Sequence, residues 1–427
     1  MPDASDPRRP MKAFERGFAD ATRLTSFGEV DEVFRSRDFG QGSHIEGHPS
    51  EFLFHGSVVT LGGEEHFERR RMEATILRKS ALAKLENDLL RGALDLQFES
   101  VRSQRGPDGA ARADLLKILR GGLIPMAAAI VGLDGLDSDE SIERLRVGLL
   151  DISAASGARW SVGPLGEIVS GGVASKRAFV RDYFEPAWRR RRALVEEVIA
   201  GRRDRAKLPN DLITQLITHP ISGWDEDVNV REVLLYFTGA ANTPALVAPH
   251  IVKEVLEWLD SHPEDQPLIA GPDREEFLWR SSLESLRLHL EVPAHFRVAR
   301  HAVTLSTGRR VEAGEAMALD IVAASRDPDV FGEDAGSFNP HRPTPARGMA
   351  FGFAFGGGPH TCIGRELMVG PATGEVAQPG ASRGVLGKLL LYLFDRGITL
   401  DPGHPPRLSP DRTRPEYTEF AVLFDRP

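Results

Sequence analysis

A mainly helical fold with a smaller β-rich part is predicted from two textures along the 427 residues. Residues 64–261 read mainly as helices, with breaks near 106–109, 132–139 and 220–223 where glycine, proline and aspartate gather. After Glu291, "FRVARHAVTLSTGRRVEAGEAMALDIVAA" alternates apolar and polar residues around Gly308 and Gly314, as strands joined by turns do. No repeat of solenoid length recurs.

Composition bounds the function. Hydrophobic content of 41% and charged content of 27% are those of a folded globular chain. A net charge of -9 argues against a general nucleic-acid binder, because neutralising phosphates needs a basic surface. A single cysteine excludes an intrachain disulfide and any multi-cysteine metal site, and it fits a reducing compartment. The N-terminal "MPDASDPRRPMKAF" has no apolar core of the signal-peptide kind, and the apolar run 123–133 is too short for a membrane span. A soluble, cytoplasmic monomer is expected.

Taken in order, residues 27–39 place Val30, Val33 and Phe34 at helical spacing before Gly40 and Gly42 break the pattern. "SVVTL" at 57–61 reads as a short strand. The basic run "WRRRRALVEEVIAGRRDRAK" at 188–207 is read as a solvated helix face, with Ala193, Leu194, Val198 and Ile199 as its buried stripe. A long apolar helix, "REVLLYFTGAANTPALVAPHIVKEVLEWL", follows. Pro244 within it cannot donate to the carbonyl of Ala240, so the helix should open there.

The one cysteine, Cys362, lies in "FAFGGGPHTCIGREL" at 353–367. Gly356, Gly357, Gly358 and Gly364 remove side chains on both sides of it, which suits a backbone that something bulky approaches closely. "CIGRELM" opens like a helix and would set Cys362 near unpaired amide donors that stabilise a thiolate. These features point to a metal-binding thiolate.

Phe355, Gly358, Cys362 and Gly364 together reproduce F-x-x-G-x-x-x-C-x-G, and here the chain resembles the cytochrome P450 family. "ESLR" supplies Glu284 and Arg287 of an E-x-x-R motif, Arg342 in "FNPHRP" matches its third partner, and His66 and Arg70 match H-x-x-x-R. The resemblance implies an N-terminal extension over 1–26 and one heme-thiolate catalytic domain over 27–427. It implies the cytochrome P450 fold, with heme b between the central helix and the cysteine-loop helix. By the same resemblance Cys362 is the axial thiolate of the heme iron, and His66, Arg70, Arg297 and His360 meet the propionates. Phe355, Gly358 and Gly364 shape the ligand loop, and Glu284, Arg287 and Arg342 form a buried charge network that holds it.

On the distal side, Asn242 takes the place of the family's acid and Thr243 keeps its alcohol; a register one residue earlier would put Ala241 and Asn242 there instead. Tyr236, Ala240, Ala294 and Phe296 are expected to line the substrate space, with Phe52 and Phe54 nearby. After the cysteine, residues 368–384 insert glycines and two prolines where the family's helix usually runs on, and these are expected to loop out on the proximal side. The implied activity is monooxygenation of a largely apolar small molecule. No Gly-rich dinucleotide fingerprint is visible, so electrons are expected from a separate ferredoxin and ferredoxin reductase. Two rival readings are a peroxide-using or rearranging heme-thiolate enzyme and a heme-binding sensor without turnover.

Overall fold

The chain enters its main sheet through an edge strand, Thr22–Leu24 (β1), and turns into the helix Phe27–Arg35 (α1). The Ser26 hydroxyl accepts from the Glu29 amide at 3.3 Å and caps the helix, whose Phe27, Val30, Val33 and Phe34 face inward. Strand Phe39–Gln41 (β2) follows. This computed structural model describes residues 14–43, 47–78, 81, 84–103, 105–106, 109–136, 138–220, 224–371, 383–410 and 412–425. Residues assigned from sequence to an extension therefore include a sheet strand, and upstream of it Phe14 and Phe18 pack on Trp160.

"SVVTL" is a turn and not a strand. Its backbone donors go elsewhere: Thr60 N–H to the Ser57 carbonyl at 2.9 Å, and Val58 N–H to the Glu232 carboxylate at 3.1 Å. No ladder is left to form. Helix Gly63–Glu73 (α2) comes next and carries His66 and Arg70.

Leu115–Val131 (α3) is buried on nearly every side, and Asp139–Ser156 (α4) begins at a Ser138 capping box. In Glu185–Ile199 (α5) the arginines are answered locally: Arg191 meets Asp134 at 3.0 Å and Asp211 at 2.6 Å, and Arg192 meets Glu196 at 3.1 Å. The basic run is a paired helix face. Its buried positions are Ala187 and Val195, while Ile199 is 81% exposed, so the expected stripe is rotated.

The central helix, Glu226–Ser261 (α6), has 36 residues and packs along α3. It runs unbroken through Pro244, where an opening was expected, and through Pro249. Both prolines are buried, and tertiary packing holds the helix across the missing donors. Among the described residues, no helix is long and apolar enough to cross a membrane.

Arg274–Leu288 (α7) leads into strands Ala294–Ala299 (β3) and Ala316–Asp320 (β4). The sheet order is β1-β4-β3-β2, with Arg297 opposite Gln41 on one side and Met317 on the other. Downstream, the helix after the cysteine is split into Arg365–Val369 (α8) and Gly384–Asp395 (α9). Gly370 leaves α8 at φ 72°, and the Val369 carbonyl freed by the break accepts from Trp279 Nε1 at 2.8 Å. A Cβ on Gly384 would lie 2.5 Å from the Met368 backbone, so α9 begins against the end of α8. The expected excursion between them falls on residues 372–382, outside the described residues.

Candidate active site

The site is supported from below by a buried corner. Arg287, fully enclosed on α7, donates to both oxygens of Glu284 at 2.9 and 2.7 Å and also to the Ser325 and Ala335 carbonyls. Arg342 reaches the same Glu284 at 2.9 Å and Asp334 at 2.6 Å. Every charge here has an opposite charge or carbonyls facing it, the condition under which burying it is tolerable. Ser325, held by Arg287 through its carbonyl, accepts from the Phe353 amide through its hydroxyl at 3.0 Å. The corner is thereby joined to the cysteine loop.

The loop folds back on itself through Cys362 N–H donating to the Phe355 carbonyl at 2.9 Å. Phe355 is buried and meets Phe351 edge to face at 5.0 Å. Gly356 and Gly358 adopt φ of 66° and 62°, the left-handed region that glycine enters without penalty. A Cβ on Gly358 would also fall 2.0 Å from the Phe34 carbonyl. Gly357 and Gly358 are thus demanded by the approach of α1, an origin different from the open face expected from the sequence. Gly364 leaves ordinary contact room beside the sulfur, at 3.7 Å.

Cys362 itself is accessible by surface area, yet burial is the largest influence on its thiol and pushes the pKa up. The backbone amides of Gly364 and Arg365 pull the other way, as do the charges of Arg70 and Arg365. These are the amide donors expected at a helix start.

Above the loop, basic groups converge with no anion among them. Arg297 is 5% exposed; its Nη1 donates to its neighbour's carbonyl at Phe296, and its guanidinium lies 5.3 Å from the Phe34 ring centroid. No carboxylate among the described residues reaches it, and burial alone lowers its pKa to about 10. Arg70 donates to the Thr361 carbonyl at 2.6 Å. The His66 and His360 rings lie 3.9 Å apart. Burial first, then Arg70, depresses His66 to about 4; burial, then His66, Arg297 and Arg70, depresses His360 to about 3. Four basic residues share a space that holds no compensating charge among the described residues.

That space opens into a cavity of about 290 Å³ between the sheet, α4 and α6. The α6 wall is Leu235, Thr238, Gly239, Asn242 and Thr243, one helical stripe. Ala294, Phe296 and Phe54 line it as expected from sequence position, but Tyr236 and Ala240 do not. The helix presents the adjacent stripe. Tyr236 turns away and donates to Glu73 at 2.7 Å, within a buried cluster where Glu73 also meets Arg69 at 2.7 Å. Burial and the neighbouring Glu73 push the Glu232 carboxyl there well up. Ala240 packs in the core, and Phe52 packs outside the cavity. Asn242 is buried, and its amide donates to the Ser153 hydroxyl on α4 at 2.7 Å. Thr238 Oγ1 has no hydrogen-bond partner. Ser153, Thr238 and Arg159 on this wall, and the Arg69 cluster, were missed from sequence, since no motif marks them.

The sequence profile of the Cytochrome P450 family matches residues 277–368, the stretch from α7 to α8 that holds both the corner and the loop. Cytochrome P450 52A4 of Candida maltosa is 33% identical over 145 residues, 31% of this chain and 25% of that protein. The chain thus aligns with about a quarter of that curated relative's length. The fold is shared more widely. P450BioI, solved with hexadec-9Z-enoic acid-ligated acyl carrier protein, superposes with a TM-score of 0.69 at 15% identity over 94% of this chain and 92% of that one. CYP154A1 from Streptomyces coelicolor A3(2) gives 0.68 at 18% identity over 99% and 98%. The chain has the cytochrome P450 fold, and its stretch 277–368 matches the Cytochrome P450 family.

Cytochrome P450s bind heme b, and two features of this chain fit that group. A thiolate is a suitable axial ligand, and Cys362 offers an accessible sulfur beneath two amide donors. Heme carries two propionates, and the cluster of Arg70, Arg297, His66 and His360 lacks the negative charge they bring.

Proposed function

We propose that the protein is a heme-thiolate monooxygenase that inserts one oxygen atom from O2 into a largely apolar small organic molecule. Its electrons come from separate proteins, a ferredoxin and its reductase. The observation that supports this reading best is the pairing of the amide-flanked Cys362 thiol with the anion-free basic cluster beside it. Heme held there supplies oxygen activation, which thiolate ligation favours by pushing electron density toward the distal side.

The chain's own residues then divide the work. Cys362 would ligate the heme iron through its sulfur, and the Gly364 and Arg365 amides would temper the thiolate's charge. Arg70 and Arg297 would neutralise the propionates and His66 and His360 would donate hydrogen bonds to them, while Phe355, Gly358 and Gly364 shape the cysteine loop. Glu284, Arg287 and Arg342 keep that loop in place. Ala294 and Phe296 orient an apolar substrate and exclude water from it. The Thr243 hydroxyl both accepts and donates, so it can hand a proton along a bound water; Asn242 only positions water.

One observation favours a second reading, a peroxide-using or rearranging enzyme. The Asn242 amide is committed to Ser153, and Glu291, the one carboxylate on the cavity wall among the described residues, is engaged by Arg414 at 2.6 Å. Among those residues no wall acid is left to feed protons.

The test has two arms. The reduced protein under carbon monoxide should show the strongly red-shifted band of thiolate-bound heme, and Cys362→Ser should lose it. Oxygen-dependent turnover with ferredoxin and reductase should exceed peroxide-driven turnover, and Asn242→Asp should raise it further with a smaller solvent isotope effect. A retained band in Cys362→Ser sinks the ligand assignment. Turnover with peroxide alone establishes the second reading.

A further inference from the structure

The cavity wall carries more positive than negative charge, and most of it is accounted for. Arg414 is paired with Glu291 at 2.6 Å, and Arg412 with Glu416 at 3.2 Å. Arg297 belongs to the basic cluster above the loop. Arg159 is left.

Arg159 sits in the connection after α4, beside Trp160 and next to the bridge between Ser161 and Arg412. Its Nε donates to the Gly17 carbonyl at 2.7 Å and one terminal nitrogen, Nη2, to the Ala19 carbonyl at 2.8 Å. The guanidinium carbon lies 4.3 Å from the Phe296 ring centroid. Two carbonyls and a ring face thus fix the group in place, and Nη1 makes no hydrogen bond to any of the described residues. No carboxylate among the described residues lies within ion-pair distance, although Asp20 acts on it from farther away. Burial outweighs Asp20 and lowers the pKa. The nearby His48, depressed to about 4 by burial and then by Arg159, is neutral at pH 7 and adds no charge.

We propose that Arg159 is the anchor for an anionic end of the substrate, and that the preferred substrates are largely apolar monocarboxylic acids. This rests on the monooxygenase reading of the same cavity and narrows its substrate class. A carboxylate at Nη1 would neutralise a preorganised, partly desolvated cation, while the carboxylate's apolar body lies against Phe296, Ala294 and the α6 wall. Arg159 acts as a specificity determinant, since it holds one end of the substrate and leaves the oxidised end to the rest of the site.

Calorimetric titration of the heme-loaded protein with dodecanoic acid and with 1-dodecanol tests this without turnover. The parent should bind the acid roughly tenfold or more tightly than the alcohol at neutral pH, a difference expected of one charge-assisted hydrogen bond. Arg159→Gln should erase the difference, and Arg159→Lys should restore part of it, with heme content and thermal midpoint confirming that both variants fold. Equal binding of acid and alcohol by the parent, or an unchanged preference in Arg159→Gln, overturns the proposal. If the preference holds but no oxygen-dependent product forms, the anchor stands and the monooxygenase reading fails.

Discussion

Two buried arginines ten positions apart behave as opposites. Arg287 has Glu284 in a two-pronged grip, carbonyls at its remaining nitrogen, and no exposure. Arg297 is nearly as deeply placed, yet among the described residues its side chain bonds only its neighbour's carbonyl and no acid answers it. A buried cation without a partner is costly, so a fold keeps one where something outside the chain supplies the charge. The first arginine belongs to the scaffold. On the proposed reading, the second serves the ligand.

The sharpest way to separate them is to damage the scaffold corner. Glu284→Gln removes a charge shared by Arg287 and Arg342, and it should cost about 3–5 kcal/mol because two cations lose their buried partner. Urea unfolding of the heme-free protein measures this. A loss below about 1 kcal/mol would mean that the corner is held by its carbonyl bonds and that the ion pairs are incidental.

A smaller effect separates the regions by pH. His66 and His360 titrate near 4 and 3 in the folded chain, below the ordinary value of 6.5. Between those values the unfolded chain binds more protons than the folded one, so stability rises with pH there. It is fully present above about 6.5 and is lost as the pH falls toward 4. Propionates beside the rings favour their protonated forms, so the heme-loaded protein should lose less stability over the same window. Thermal midpoints of the heme-free and heme-loaded forms, with and without His360→Asn, report it. Parallel acid slopes in the two forms would separate the histidines from the ligand.

The difference between the regions also explains what was legible in the sequence. Cys362, Glu284, Arg287 and Arg342 were legible because their spacing is fixed by a loop and a helix turn, and geometry at that scale survives in linear order. The stripe of α6 that faces the cavity was misjudged by one position. A helix advances about 100° per residue, so only the packing of α3 and α4 decides whether Tyr236 or Leu235 points inward. Gly357 and Gly358 were noticed for a different reason, since what they make room for is the ring and the backbone carbonyl of Phe34, more than three hundred positions away. "SVVTL" failed as a strand because its Val58 donor is taken by Glu232 and its Thr60 donor by the Ser57 carbonyl. Arg159 left no trace in local pattern; its partners, Gly17, Ala19 and Phe296, come from distant stretches.

The most direct test replaces each arginine by methionine and measures the same two quantities. Arg287→Met should cost the heme-free protein about 3–5 kcal/mol, as breaking a buried pair does. Arg297→Met should leave the heme-free protein within about 1 kcal/mol of the parent or above it, because an unpaired buried charge is replaced by an apolar side chain. Its affinity for heme should fall roughly tenfold or more with the loss of a charge-assisted contact. Equal destabilisation of the heme-free protein by the two substitutions, with heme affinity of Arg297→Met unchanged, would contradict the account.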